Sequence, residues 1–267
     1  MPYLFIDLES RADEPAVEAA IAARHDELEA VTAPANYKDP EKVARFRSER
    51  KSAIIADLRK EAALSPFTAY VSSIALRLGE TARTQVHILV PHPSNPVGEQ
   101  DAARQVERDF DLHPYPYGDE SERRAKETAL LSEFWTLFDN AHGYTCGFNH
   151  LAFDLPVLIK RSMLLDLLPP NCPVNLRRYS TAPTRDLFAI FNGWIPGKGG
   201  LKVLCKTLGI ENPLPDLNGG NVANLPWQTE AQYVANDVAL TVALAQRMAG
   251  WWWPAAGEPE EDEEISF

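Results

Sequence analysis

Two carboxylic acids stand two residues apart near the start of the sequence. Asp7 and Glu9 fall in the run PYLFIDLE, which occupies residues 2–9. Apolar, β-favouring residues alternate with them, so we predict a buried strand whose two acids project from the same face. Neighbouring carboxylates repel each other and are costly to bury unpaired, and a divalent cation that bridges them removes this cost. An edge strand that exposes both acids to water is the alternative interpretation.

A third acid, Asp154, follows the run GFNHLAF, which begins at Gly147. A strand is predicted to end near Asn149 and a helix to begin near Phe153, so Asp154 is expected at a helix N-terminus. A simple helix cap at Asp154 and a simple turn residue at Asn149 are the alternatives. Phe148 and Asn149 are also candidates for contacts with the terminal unit of a substrate.

The fourth acid, Asp237, lies on a long predicted helix over residues 228–249. Tyr233 precedes it by four residues, so the two side chains are stacked on one face of the helix. An acid in the middle of an Ala- and Val-rich helix is unusual unless something pairs with it. A solvated Asp beside a core Tyr is the alternative.

The order of these motifs resembles that of the DEDD superfamily of 3′→5′ exonucleases. FIDLE is similar to the first exonuclease motif, NHLAFD to the second, and YVAND to the third in its tyrosine form, Y-x3-D. The stretch KGGLKVLCKTLGI resembles the Leu-rich helix of stand-alone relatives of the proofreading domain of family-B DNA polymerases. Gln232 stands where the sister branch carries His, so the resemblance is to the tyrosine branch.

This resemblance implies a ribonuclease H-like fold and two divalent cations, Mg²⁺ or Mn²⁺. Asp7, Glu9, Asp154 and Asp237 would be metal ligands and catalytic residues, and Tyr233 would orient the attacking water. Two hard cations held by carboxylates can activate water and stabilise the leaving 3′ oxygen. The implied reaction is stepwise hydrolysis from the 3′ end of single-stranded DNA. RNA is an alternative substrate, and a nuclease-fold module that binds nucleic acid without cleaving it is an alternative function.

The elements that must position these residues predict an α/β protein. Strands are expected at residues 2–9, 68–78, 84–90 and 143–148, and helices at 14–33, 41–63, 121–140, 153–168, 200–208 and 228–249. Residues 184–191 fit a strand or the start of a helix, and residues 91–120 fit a loop. With the resemblance, these elements predict a mixed five-stranded sheet flanked by helices. We expect a single domain over residues 1–253 with a helical insertion at about 11–66.

The net charge of −12 is unusual for a protein that handles nucleic acid. Six of the negative charges lie in residues 254–267, which we predict to be a disordered acidic tail, and four more are the proposed metal ligands. Net charge therefore does not exclude a polyanionic substrate. The tail ends in Phe267 and resembles the C-terminal tip of bacterial single-stranded-DNA-binding proteins. That resemblance implies a replication or repair protein as a partner, and a merely solvated segment is the alternative.

Three weaker features are open to two interpretations. The basic residues of the predicted helix 41–63 could guide single-stranded substrate or simply face solvent. Trp251–Trp253 could stack on bases or pack the end of the last helix. The stretch from Gly193 to Gly199 has three residues rather than four between its first two glycines, and Lys198 is not followed by Ser or Thr. It therefore fails the pattern of a phosphate-binding loop and is predicted to be a plain turn.

Cysteine usage and hydropathy indicate the compartment. Cys146, Cys172 and Cys205 are widely separated and odd in number, and the sequence starts without a basic and apolar leader. These features favour a reducing, cytoplasmic setting. No apolar run approaches the ~20 residues needed to cross a bilayer, so no membrane association is expected.

Overall fold

The computed structural model describes residues 2–92, 110–217 and 225–253. In these ranges the chain has an α/β architecture, a mixed sheet flanked by helices, as predicted. The sheet has six strands in the described ranges, whereas five were expected. The predicted acidic tail, residues 254–267, lies outside the described residues.

The strands follow the order β4-β3-β2-β1-β5-β6 across the sheet. Their bounds are β1 (Leu4–Ala12), β2 (Ala69–Leu78), β3 (Gln85–Pro91), β4 (Asp111–Tyr117), β5 (Thr145–Gly147) and β6 (Thr184–Asp186). β1 is parallel to β5, and β5 is parallel to β6. β3 is antiparallel to β2 and parallel to β4. Because β1 lies between β2 and β5, the interpretation of residues 2–9 as an edge strand is wrong.

The α-helices number eight in the described ranges. They are α1 (Glu14–Ala23), α2 (His25–Glu29), α3 (Pro40–Glu61), α4 (Glu120–Asn140), α5 (Asp154–Leu164), α6 (Leu187–Phe191), α7 (Leu201–Thr207) and α8 (Trp227–Met248). None of the helices in the described ranges combines the length and the apolar character that crossing a bilayer requires.

The apolar face of α8 packs against the sheet and forms much of the core. Val234 and Val238 on this helix are fully buried and belong to one apolar cluster with Phe5 of β1 and Ile88 of β3. Burying each side chain of this size stabilises the fold by about 1.5–3 kcal/mol. The same packing fixes the face of α8 that carries Asp237 relative to β1.

Two segments differ from the sequence prediction. Residues 111–117 form β4 although we predicted a loop, because Pro114 and Pro116 discouraged a strand. At the end of the sheet a proline can turn its missing N–H away from the neighbouring strand, so β4 tolerates both. The ambiguous residues 184–191 form β6 followed directly by α6, and Asp186 caps the helix by accepting from Ala189 N at 3.1 Å.

The chain divides into two compact units. One is Ser10–Val71, and the other comprises the residues before and after it. The predicted helical insertion, residues 11–66, falls within Ser10–Val71 and contains α1, α2 and α3. In this unit Arg59 of α3 forms ion pairs with Glu14 and Glu18 of α1. All residues of the candidate site described next belong to the other unit.

Candidate active site

The β1 strand presents Asp7 and Glu9 on one face of the sheet. Leu8 between them is buried, as are Ile6 and Leu4. Successive side chains of a strand point to opposite faces, so the two acids project together while the leucines and isoleucine face the other side. The interior position of β1 keeps both acids half-buried. The structure therefore places this pair as the sequence predicts.

A hydrogen bond joins the third predicted acid to the same strand. Asp154 is the first residue of α5 and is 5% exposed. Its Oδ1 accepts from the backbone N–H of Leu8 at 3.1 Å, between Asp7 and Glu9 in sequence. Phe153, the residue before α5, makes no side-chain cap. Asp154 thus has a long-range partner in addition to its place at a helix end.

The fourth predicted acid and its tyrosine lie on the buried face of α8. Tyr233 and Asp237 are 5% and 7% exposed. Lys202 of α7 reaches both of them: its Nζ lies 3.5 Å from Asp237 Oδ1 and 4.0 Å from the centre of the Tyr233 ring. Lys202 also donates to the carbonyl oxygen of Leu217 at 2.5 Å. The sequence analysis included Lys202 only as part of a Leu-rich helix and assigned it no role.

The four predicted acids lie near enough to one another to interact electrostatically. Burial raises the pKa of Asp7 well above its usual value, and the charges of Asp237, Asp154 and Glu9 raise it further. The charge of Lys202 opposes them. In addition, Asp7 Oδ2 is buried without a hydrogen-bond partner in the described structure. A negative oxygen in this position is a strong candidate for a cation ligand, since an unpaired buried charge is costly.

The other groups of the cluster are shifted for related reasons. Burial raises the pKa of Asp154 to about 7, although hydrogen bonds from backbone N–H groups, that of Leu8 among them, oppose the rise. Burial also raises the pKa of Asp237, which Lys202 and Tyr233 counteract. The pKa of Tyr233 is raised by burial first and then by the charge of Asp237. Tyr233 therefore keeps its proton and acts as a hydrogen-bond donor.

A fifth carboxylate, Glu230, adjoins the cluster. It is 1% exposed, and its Oε1 accepts from the hydroxyls of Ser72 at 2.6 Å and Ser73 at 2.8 Å. After burial, the charge of Glu230 is the largest cause of the raised pKa of Glu9, so the two carboxylates lie within electrostatic range of each other. The sequence analysis missed Glu230. Its spacing from Tyr233 and Asp237, three and seven residues, could have revealed it as part of the same helix face.

The donor chemistry of the cluster fits hard divalent cations. Carboxylate oxygens are the ligands that Mg²⁺ and Mn²⁺ prefer, and Asp7 offers a buried oxygen with no other partner. Within the described ranges, however, no three Asp, Glu, His or Cys side chains are already close enough together to hold a metal ion. If cations bind here, Asp7, Glu9, Asp154 and Asp237 are the residues that would hold them.

The predicted substrate contacts lie on the turn that leads into α5. Asn149 is exposed and has a φ of 63°, a left-handed conformation that Asn tolerates better than most residues. Its backbone N–H donates to Asp186 Oδ1 at 3.0 Å. The Phe148 ring is half-buried and contacts Phe188 edge to face, with the ring centres 5.3 Å apart. The positions are compatible with the predicted turn and with a substrate contact.

Two residues that the sequence analysis did not single out shape this turn. Asp186, 1% exposed, accepts from the N–H of Leu151 as well as from that of Asn149. The fully buried His150 lies 3.8 Å from the Asp186 carboxylate. A side chain at Gly147 would come within 2.7 Å of the His150 ring, so only glycine fits there. The turn before Asp154 is thus fixed by buried groups.

Comparison with known proteins assigns the chain to no family. No family model matches the chain, and no curated protein matches it.

Proposed function

We propose that the chain is a two-metal-ion 3′→5′ exonuclease that removes nucleotides from the 3′ end of single-stranded DNA. The proposal includes a ribonuclease H-like fold of the tyrosine branch of the DEDD superfamily, which the sequence motifs resemble. The six-stranded mixed sheet is compatible with that fold.

The observation that carries the proposal is the buried Asp7 Oδ2, which has no hydrogen-bond partner in the described structure, on the strand to which Asp154 is hydrogen-bonded. The charges of Glu9, Asp154 and Asp237 all act on the Asp7 carboxylate, although these residues come from β1, α5 and α8. Four carboxylates in a half-buried site lower the stability of the folded protein when no cation is bound. Bound cations would offset the repulsion among these carboxylates. Phosphodiester hydrolysis is the reaction that such a set of carboxylates is suited to support.

Each residue of the site has a defined part in this proposal. Asp7, Glu9, Asp154 and Asp237 would hold two divalent cations, Mg²⁺ or Mn²⁺. When bound, such cations activate the attacking water and stabilise charge on the leaving 3′ oxygen. Tyr233 keeps its proton and donates a hydrogen bond that orients the water.

Two neighbours of the four acids support them. Lys202 offsets part of the negative charge next to Asp237 and holds its position against the Tyr233 ring. Glu230 joins α8 to β2 through the two serine hydroxyls and thereby fixes the helix that carries Tyr233 and Asp237.

The test is a 5′-labelled single-stranded DNA oligomer incubated with Mn²⁺ and separated by length. A ladder that shortens stepwise from the 3′ end is expected, and EDTA or the substitution Asp7→Asn should abolish it. Internal cuts, or full activity in EDTA, would reject the proposal. A 5′-labelled RNA oligomer of the same sequence tests the alternative substrate. Binding of either oligomer without any cleavage would support the non-catalytic alternative instead.

A further inference from the structure

The segment that surrounds β6 differs from the rest of the chain in its charge. Residues 167–200 contain four basic residues and a single acid, Asp186, in a protein with a net charge of −12. Asp186 and the basic Arg185 are both buried. The exposed charges of this segment are therefore all positive, namely those of Arg177, Arg178 and Lys198.

Two aromatic residues lie close to these charges in the sequence, Tyr179 directly after Arg178 and Trp194 four residues before Lys198. Tyr179 is 74% exposed, and its ring centre lies 5.5 Å from that of Trp194. Both residues have a φ of 63°, in the left-handed region that bulky side chains seldom adopt. Holding two such residues there costs stability, and backbone strain of this kind tends to occur at functional positions. The next residue, Ile195, is also exposed.

This surface is connected to the turn before Asp154. Asp186 Oδ1 accepts a hydrogen bond from Asn149 N in the turn and another from Ala189 N in α6. Trp194 N in turn donates to the carbonyl oxygen of Ala189 at 2.7 Å. The five residues of α6 span about 7.5 Å at 1.5 Å per residue. Hydrogen bonds through Asp186 and α6 thus link the backbone of Trp194 to the turn that carries Asn149.

We propose that Tyr179, Trp194, Arg177, Arg178 and Lys198 form a binding surface for single-stranded nucleic acid, the aromatic–basic surface. Bases stack on the exposed ring of Tyr179, and the three cations contact phosphates. Single-strand-binding proteins combine positive charge with aromatic rings in this way, because every base has a face that can stack. This inference rests on the proposed function, since it gives the strand a path to the carboxylate cluster. A partner of purely apolar character would have no use for the three exposed cations of this segment.

The experiment measures binding in EDTA, where no metal-dependent cleavage occurs. The probe is a fluorescent oligo-dT of about 15 nucleotides, near the upper range of such sites, and the readout is anisotropy. Glycine adopts a φ of 63° without strain, so Tyr179→Gly removes the ring and preserves the loop. We expect Tyr179→Gly to weaken binding by about 5-fold or more. Tyr179→Phe keeps the ring and should bind as tightly as the unchanged chain.

The contribution of Arg177 and Arg178 is measured separately, from the dependence of binding affinity on salt concentration. Each lost phosphate contact lowers the slope of log affinity against log salt by about 0.7 for single strands, so Arg177→Gln with Arg178→Gln should lower it by about 1.4. The matched control is Lys126→Gln with Lys160→Gln, which removes two charges from α4 and α5 and should leave the slope unchanged. Thermal unfolding of each variant checks that the fold is intact.

Unchanged affinity of Tyr179→Gly, or an unchanged salt slope of the arginine variant, would overturn the inference. These outcomes are separate from failure of the proposed function, which would appear as the absence of a 3′ ladder from the unchanged chain with Mn²⁺.

Discussion

The ammonium group of Lys202 lies against both the Asp237 carboxylate, at 3.5 Å, and the Tyr233 ring, at 4.0 Å from its centre. It is the cation that lowers the pKa of Asp7 and Glu9 as well as that of Asp237. A single side chain of α7 therefore opposes, in part, the rise that burial causes in the pKa of acids from β1 and α8.

Removal of the Lys202 charge should make activity more sensitive to acid. In Lys202→Gln the pKa values of Asp7, Glu9 and Asp237 rise further, so a higher pH is needed to free their oxygens for cations. We expect the acid limb of the pH–activity profile with Mn²⁺ to move to higher pH. Lys206→Gln, one helical turn further along α7 and exposed, is the control. An acid limb that stays in place would contradict this role.

Neutralising Asp7 should stabilise the metal-free protein while removing activity. A carboxyl whose pKa is raised by folding is most favourable below its unfolded pKa, near 3.8, and loses that stability as the pH rises. At pH 8 the Asp7 carboxyl therefore opposes folding. Asp7→Asn should raise the Tm in EDTA, by about 2–4 °C for each kcal/mol gained.

The exposed Asp57→Asn of α3 controls for a simple change in net charge and should leave the Tm in EDTA nearly unaltered. Mn²⁺ should raise the Tm of the unchanged chain more than that of Asp7→Asn, because ligand binding stabilises the folded state. Equal shifts in the two proteins would argue against Asp7 as a metal ligand.

Loss of the Tyr233 hydroxyl should slow turnover without removing metal binding. Tyr233→Phe retains the ring against Lys202 but cannot orient water, and loss of one well-placed donor costs about 100-fold in rate. Single-turnover rates measure the effect, and Mn²⁺ titration by calorimetry should give an unchanged affinity. Tyr144→Phe, which removes the hydroxyl of a half-buried tyrosine, is the control. Turnover by Tyr233→Phe at the rate of the unchanged chain would exclude the assigned role.

Acid should destabilise the fold through His87 of β3. Burial, aided by the charge of His113, lowers the pKa of His87 to about 4, from 6.5. Because the unfolded chain then binds the proton more tightly, stability is complete above about pH 6.5 and falls as the pH drops towards 4. The full difference is roughly 3 kcal/mol at 1.36 kcal/mol per pKa unit.

Urea denaturation at several pH values between 7.5 and 4.5 measures this slope. His87→Gln should flatten it, since Gln does not titrate but can still bond to the Tyr115 hydroxyl, which lies 3.0 Å from His87 Nδ1. His113→Gln, at an exposed position, should keep most of the slope. If the two variants gave the same slope, His87 would not be the cause of the dependence of stability on pH.

The sequence predicted the elements that carry the acids well. The long helix expected at residues 228–249 is α8, Trp227–Met248, because a period of apolar residues runs along its whole length. The strand that carries Asp7 and Glu9 was also predicted, since its alternation is short but regular. β4 was missed because its two prolines count against a strand unless its place at the sheet edge is already known.

The contacts of the supporting residues could not be predicted from sequence because their partners are remote. Lys202 meets Asp237 only after α7 packs beside α8, 35 residues later in the chain. Glu230 acquires its role from two serines of β2, 158 and 157 residues away. Asp186 lay in a segment that fitted either a strand or the start of a helix, and only the folded turn shows that it accepts from three backbone N–H groups. Local patterns carry no information on such contacts.

The two prolines of β4 also bear on how the protein behaves at high concentration. In the described part of the chain β4 is an outermost strand, and Pro114 and Pro116 have no N–H to offer on its free side. A strand from a second molecule that paired with β4 would therefore lack two of the backbone N–H donors that a regular ladder of hydrogen bonds requires. This side of the sheet resists edge-to-edge aggregation, so the protein should tolerate concentration without growing fibrils from β4.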